Sequence, residues 1–165
     1  MGYYLRGDPG KALDLLEKGL KMRAYTEMPG FLSLQHLALS SGHLGLGNLN
    51  EARVHAERAL HLGQTNHERY CEGMSWLQLG RTAGKMEKSS IEKAEEYILQ
   101  GMKILGELET KPAYAQGCLS LGGLYAEAGQ KEKALESLKK AEAMFREMGM
   151  EFWLAQTKKL LETLQ

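Results

Sequence analysis

From Pro9 to Arg23 the apolar positions Leu13, Leu16 and Leu20 fall on one side of a helical wheel, and polar residues fill the turns between them. Further on, one hydrophobic pattern keeps returning. A Leu is paired with a small residue, an aromatic or small residue stands three places later, a turn follows, and then a buried-looking Ala. Its fullest copy runs from Leu121-Gly122 through Tyr125 and the turn Gly129-Gln130-Lys131 to Ala134. The Glu/Lys-rich runs Glu92–Glu96 and Lys131–Lys140 read as outward helix faces with charges paired four residues apart.

The pattern has a period. The Ala after each turn stands at Ala12, Ala52, Ala94 and Ala134, spaced 40, 42 and 40 residues. The Leu-small pair stands at Leu39-Ser40, Leu79-Gly80 and Leu121-Gly122, spaced 40 and 42. Two independent markers on one beat identify an array of repeats, each too small to bury its own apolar face. Polar residues at the turns predict helix starts: Asp8 before Pro9, Asn48 with Glu51, and Ser89 with Glu92 as a capping box. Each unit is therefore predicted to be a helix, a short turn and a second helix.

These residues carry a family resemblance. In the fourth unit Leu121, Gly122, Tyr125, Ala134, Leu138 and Ala141 stand at the signature offsets of a tetratricopeptide repeat. Trp76, Leu79, Gly80, Ala94, Ile98 and Gly101 do so in the third. In the second, Leu39, Ser40, Ala52, Ala56 and Ala59 match, with His43 in the usual Tyr place, and the first keeps only Ala12, Leu16 and Gly19. The family period is about 34 residues, so the units resemble the extended variant of bacterial signalling proteins and transcription regulators. The resemblance implies an all-α fold, a right-handed α-α superhelix (a solenoid) of about eight antiparallel helices. First helices would line its concave side.

The units are expected at about 1–25 (partial), 31–65, 66–107 and 112–149 of a single helical-repeat domain, with a capping helix at 151–165. Residues 1–7 read as the last turn of a helix whose beginning is absent, as in a fragment of a longer array. Glycines at 7, 47 and 129 are expected at turns within units, and Gly63, Gly106 and Gly149 as left-handed ends of second helices. Gly19, Gly80, Gly101 and Gly122 are expected where helix backbones meet. Gly42, Gly45 and Gly73 have no such role, and the stretch 42–47 is expected to be weak helix.

Charge narrows the partners. Lys plus Arg and Asp plus Glu both number 21 in 165 residues, so no net field recruits nucleic acid or an anionic membrane. No apolar run reaches the roughly 20 residues of a membrane span. Cys71 and Cys118 form no metal-binding pair, and a reducing cytoplasm is the expected setting. No cofactor, metal or enzymatic activity is expected. Gly80–Met86 imitates a phosphate-binding loop but lacks its spacing and its Ser/Thr, and follows a helical pattern. His67–Cys71 imitates a zinc helix without the second His. His36 and His43 share a face two turns apart, about 10 Å, too far for one metal.

What remains is the groove. The resemblance implies ligand contacts from first-helix positions, here Leu34, Leu37, Ser41 and Leu44; Met74, Leu77, Arg81 and Gly84; and Gln116, Leu119, Gly123 and Ala126. Only Arg81 matches the family's two-carboxylate clamp, so capture of peptide C-termini is not expected. The expected function is a non-catalytic scaffold that binds a protein partner, a peptide or helix, in this concave groove. The alternative is a self-association or sensor module of a larger regulator, a homodimer through the N-terminal end.

Overall fold

In a computed structural model of the protein, residues 9–26, 31–86 and 91–164 are described. Among them are eight α-helices and no strand. These are α1 (Pro9–Thr26), α2 (Leu32–Gly45), α3 (Leu49–Thr65), α4 (Arg69–Met86), α5 (Ile91–Glu107), α6 (Lys111–Glu127), α7 (Lys131–Glu147) and α8 (Glu151–Glu162). The expected caps Asp8 and Ser89, the turn at Gly7 and the side chain of Ala12 lie outside the described residues.

Consecutive helices fold back as antiparallel neighbours, α2 with α3, α4 with α5, α6 with α7, and α8 closing on α7. α2 also touches α4, and α4 touches α6. No contact of that extent joins α3 to α5 or α5 to α7. First helices thus form the inner row of a curved stack and second helices the outer row. The molecule is an α-α superhelix.

Small residues set the distance within each pair. Ala52, Ala94 and Ala134 are fully buried. A β-carbon added to Gly80 would stand 2.5 Å from Ile98 Cγ1 and 2.7 Å from the Ala94 carbonyl oxygen, and one on Gly101 would stand 2.6 Å from the Gly73 oxygen. In the second unit Ser40 takes the same place, and its Oγ donates to the Ala52 carbonyl at 2.7 Å. Among the described residues, a fifteen-residue core cluster runs from Leu77 through Ile98, Leu121 and Phe145 to Leu154; a second buried cluster, Leu37, Ala59 and Cys71, is far smaller.

Five helix ends share one closure. The N–H groups of Asn48, Glu68, Thr110, Gln130 and Met150 donate to the carbonyls of His43, Gly63, Leu105, Tyr125 and Phe145, at 2.8–3.1 Å. The residue before each donor is left-handed, namely Gly47, His67, Glu109, Gly129 and Gly149. This is the Schellman arrangement, which satisfies carbonyls that a helix end would otherwise strand. At four of these junctions the left-handed residue also accepts from the N–H two residues on, as in Leu49 to Gly47 at 2.9 Å.

Several local expectations need correction. Asn48 precedes α3 without a side-chain capping bond, and the carbonyl of Gly47 receives the first N–H of the helix. Gly63 and Gly106 do not end their helices. Gly63 lies inside α3, where an added β-carbon would stand 2.9 Å from the Glu72 nitrogen. Gly106 lies inside α5 beside the Tyr114 ring. His67 and Glu109 take the left-handed positions instead. In the stretch expected to be weak helix, α2 continues to Gly45 and a turn follows at 46–47. Gly42 faces Leu13 Cδ1, which would be 3.1 Å from an added β-carbon, and Gly73 faces Leu105 Cγ at 2.8 Å. Both let a neighbouring helix approach.

Candidate functional site

The inner row divides into two kinds of position. Leu37, Leu44 and Leu77 point away from solvent, with exposures of 9, 4 and 3%, so these three cannot line an open groove. Leu37 packs with Ala59 and Cys71. Leu77 Cδ2 wedges between α5 and α6, against the bare backbones of Gly101 and Gly117. The register explains it: each first helix sits between two neighbours, and its seam-facing positions are spent on them.

Leu34 is exposed, and Ser41, Met74, Arg81, Gly84, Gln116, Leu119, Gly123 and Ala126 are half-buried. A polar chain crosses the row. Gln78 Nε2 donates to Ser41 Oγ at 3.0 Å, and Arg81 Nη1 donates to Gln78 Oε1 at 3.1 Å. Gln78 itself is buried. It was not among the expected residues, although a Gln inside the apolar run Leu77-Gln78-Leu79 is the kind of signal that marks a tethered polar side chain. On α6 the Ser120 hydroxyl turns back to the Gln116 carbonyl at 2.8 Å.

Gly122 and Gly123 are adjacent and opposite in environment. A β-carbon on Gly122 would stand 2.5 Å from Leu138 Cγ, whereas one on Gly123 would meet nothing within 4 Å. Gly123 therefore leaves a patch of helix backbone uncovered on the inner wall.

At the N-terminal end, α1 and α2 enclose a shallow open cleft of about 350 Å³, lined by Leu15, Leu16, Gly19, Phe31, Leu34, Gln35 and Ala38. Phe31 at its rim is 68% exposed and Leu15 is 47% exposed.

Between the two helices of the second unit, three histidines form a column. His55 of α3 inserts between the two α2 histidines, its ring centroid 5.1 Å from that of His36 and 5.3 Å from that of His43. The Nδ1 atoms of His36 and His55 are 2.8 Å apart. Burial, then the neighbouring His55 and Arg58, hold the His36 imidazole down at about 4. His55 is also lowered, chiefly by burial and then by His43, against the opposing pull of Glu51 and Glu17. Sequence spacing alone separated His36 from His43 and could not show a third ring between them.

The remaining motifs carry no site. Gly80–Met86 is continuous helix in α4, and Gly84 faces Leu124 Cδ1. His67 occupies a left-handed turn, and Cys71 is buried against Ser33 Oγ at 3.3 Å, with Ser33 also donating to Glu68. Burial pushes both thiols up. Among the described residues no group of three or more His, Cys, Asp or Glu could hold a metal ion, and no helix is long and apolar enough to cross a membrane.

This stack of helix pairs around a concave inner row defines a tetratricopeptide-like helical-repeat fold. Solved structures share it at low sequence identity. Aspartyl phosphate phosphatase F from Bacillus subtilis superposes with a TM-score of 0.71 and 19% identity over 96% of this chain, which spans 41% of that protein. Two structures of the nearly identical TPR-like repeats of a kinesin light chain from Podosopora anserina, one of them a point-substituted form, give TM-scores of 0.61 and 0.62 at 20% identity. Each covers 98% of this chain, which spans 87 and 88% of theirs. No protein-family model and no curated protein matches the sequence.

Proposed function

We propose that this chain is a non-catalytic protein-interaction module that takes a peptide or amphipathic helix of a partner protein along its inner wall. The observation that carries the reading is Gly123. A glycine within a helix costs roughly 1 kcal/mol against alanine, and none of the described residues fills the space that an alanine methyl would occupy there. Uncovered backbone flanked by the half-buried Leu119 and Ala126 suits close approach by a partner backbone. The exposed Leu34, the half-buried Met74 and the tethered Arg81 supply apolar and polar contacts along the same row. The fold shared with the phosphatase and the kinesin light chain repeats supports a scaffold of this class, and the free buried cysteines suit a cytoplasmic setting.

The test is retention of partners from the native cytoplasm by the intact protein, compared with Gly123→Trp and Arg81→Glu. The β-carbon of Gly123→Trp stands in open space, and the helicity and melting temperature of both variants are measured alongside to establish that they are folded. Loss of the retained partners by both variants is the expected result. Retention by both removes the reading.

A second reading, self-association through the N-terminal end, is favoured by the cleft between α1 and α2 and its exposed rim residues Phe31 and Leu15. Sedimentation of the purified chain decides it. A dimer that Phe31→Glu dissociates supports this reading, and a monomer at all concentrations excludes it.

A further inference from the structure

We propose that the His36–His55–His43 column is an acid-sensitive latch between α2 and α3, which releases the N-terminal units, and with them the Leu34–Ser41 stretch of inner wall, when it takes up more than one proton. The proposal is independent of what the inner wall binds.

The geometry limits how many protons the closed form can hold. With the Nδ1 atoms of His36 and His55 at 2.8 Å, one proton must lie between them, donated by one ring and accepted by the other. A first added proton preserves that bond, because an imidazolium can donate to a neutral imidazole. A second turns both Nδ1 atoms into donors, head to head, and sets two positive rings in contact. His43, stacked on the other face of His55 at an interplanar angle of 9°, adds a third ring whose charge would repel the same neighbour. Moving α2 away from α3 relieves both contacts at once.

The surrounding charges act unequally on the two rings. Glu17 of α1 stands 3.8 Å from His43 Nε2. Burial and then His43 lower His55, against Glu51 of α3 and Glu17, which favour charge on it. Burial, then His55 and Arg58 of α3, all oppose charge on His36 and nothing among these interactions favours it. None of the interactions that shift His36 or His55 comes from α4. His36 therefore stays neutral in the closed form until the pH falls to about 4.

The sign follows from linkage. A released His36 binds its proton near 6.5, so the open form holds more protons than the closed form between about pH 7 and pH 4. Opening is favoured throughout that window as pH falls, by a factor of about 30 from His36 alone at pH 5. Below pH 4 that contribution no longer grows. The effect is local, because no histidine follows His67 in the chain.

Hydrogen exchange of the full chain at pH 7.5 and 5.0, corrected for intrinsic rates, tests the latch. The expected result is that α2–α3 amides open about 30-fold more readily at pH 5.0 relative to α6–α7 amides. An unchanged ratio overturns the proposal. The double variant His36→Asn with His55→Asn, which replaces the ring pair by neutral amides, is expected to abolish the pH response, and a response that persists in it also overturns the proposal. Titration of the imidazole Cε1–H resonances needs no substitution. His36 is expected to be neutral at pH 5 in the closed form; both rings charged at pH 5 with α2 and α3 still protected is the contrary result.

Discussion

Gly122 lies so close to Leu138 that a β-carbon on the glycine would stand 2.5 Å from Leu138 Cγ and 3.3 Å from its backbone nitrogen. The contact joins α6 to α7 through the fully buried Leu138. An added methyl must push two helices apart, because the backbone beneath Leu138 leaves it little room to turn aside. Gly122→Ala is expected to destabilise the protein by about 1–3 kcal/mol. Gly123→Ala, one residue on, fills open space and removes a flexible residue from a helix, so it is expected to stabilise by up to about 1 kcal/mol. Melting temperatures of the two variants should move in opposite directions from the parent. A shared direction would contradict the register of α6.

The positions on the inner row separate the same way. Leu77 is 3% exposed and wedged into the seam, while Leu34 is 39% exposed. Leu77→Ala is expected to cost about 2–5 kcal/mol through lost burial and a residual cavity. Leu34→Ala is expected to change stability by less than about 1 kcal/mol. Denaturant midpoints at constant slope measure both. Similar losses at the two positions would mean that Leu34 is seam rather than surface.

That contrast marks how far the sequence could be read. The repeat of Ala52, Ala94 and Ala134 is legible because a helix pair can close only on a small residue, and such a demand leaves a periodic trace. Burial of Leu77 against Gly101 and Gly117 leaves no comparable trace, since a Leu suits an open wall and a seam equally well. The glycines divide similarly. Gly129 could be read as a turn, but Gly63 and Gly106 stand near helix ends in sequence and inside helices in space, because His67 and Glu109 accept the left-handed conformation. The histidine column is the clearest limit, for it depends on the rotation of α3 about its own axis.

Tyr125 donates its phenol to Glu95 Oε1 at 2.7 Å, joining α6 to α5. Burial first, and then this bond and the Glu95 charge, push the phenol up to about 12. A group whose folded value is raised contributes stability that is complete below the unfolded value near 10 and is lost as pH rises through the folded value. The parent should therefore lose stability between about pH 10 and pH 12 by on the order of 1–2 kcal/mol more than Tyr125→Phe does. At pH 7 the variant is expected to be about 1 kcal/mol less stable than the parent. Urea unfolding of both proteins across that range measures the difference. Parallel curves would show that the phenol does not hold its proton in the folded state.

Cys71 and Cys118 report on the two buried clusters of the stack. Both thiols are buried and pushed up by burial, so neither is expected to react readily with a thiol reagent at pH 7.5 in the native state. Their surroundings differ. Cys118 belongs to the large cluster that continues to Leu154, whereas Cys71 shares a small one with Leu37 and Ala59. In a stack where each unit is held mainly by its neighbours, local opening follows the local core rather than the global stability. Cys71 should therefore label first as urea is raised below the main transition, with Cys118 following only at the transition itself. Mass spectrometry of the labelled peptides gives the order. Simultaneous labelling would mean that the small cluster is coupled to the large one and that the helices open as one unit.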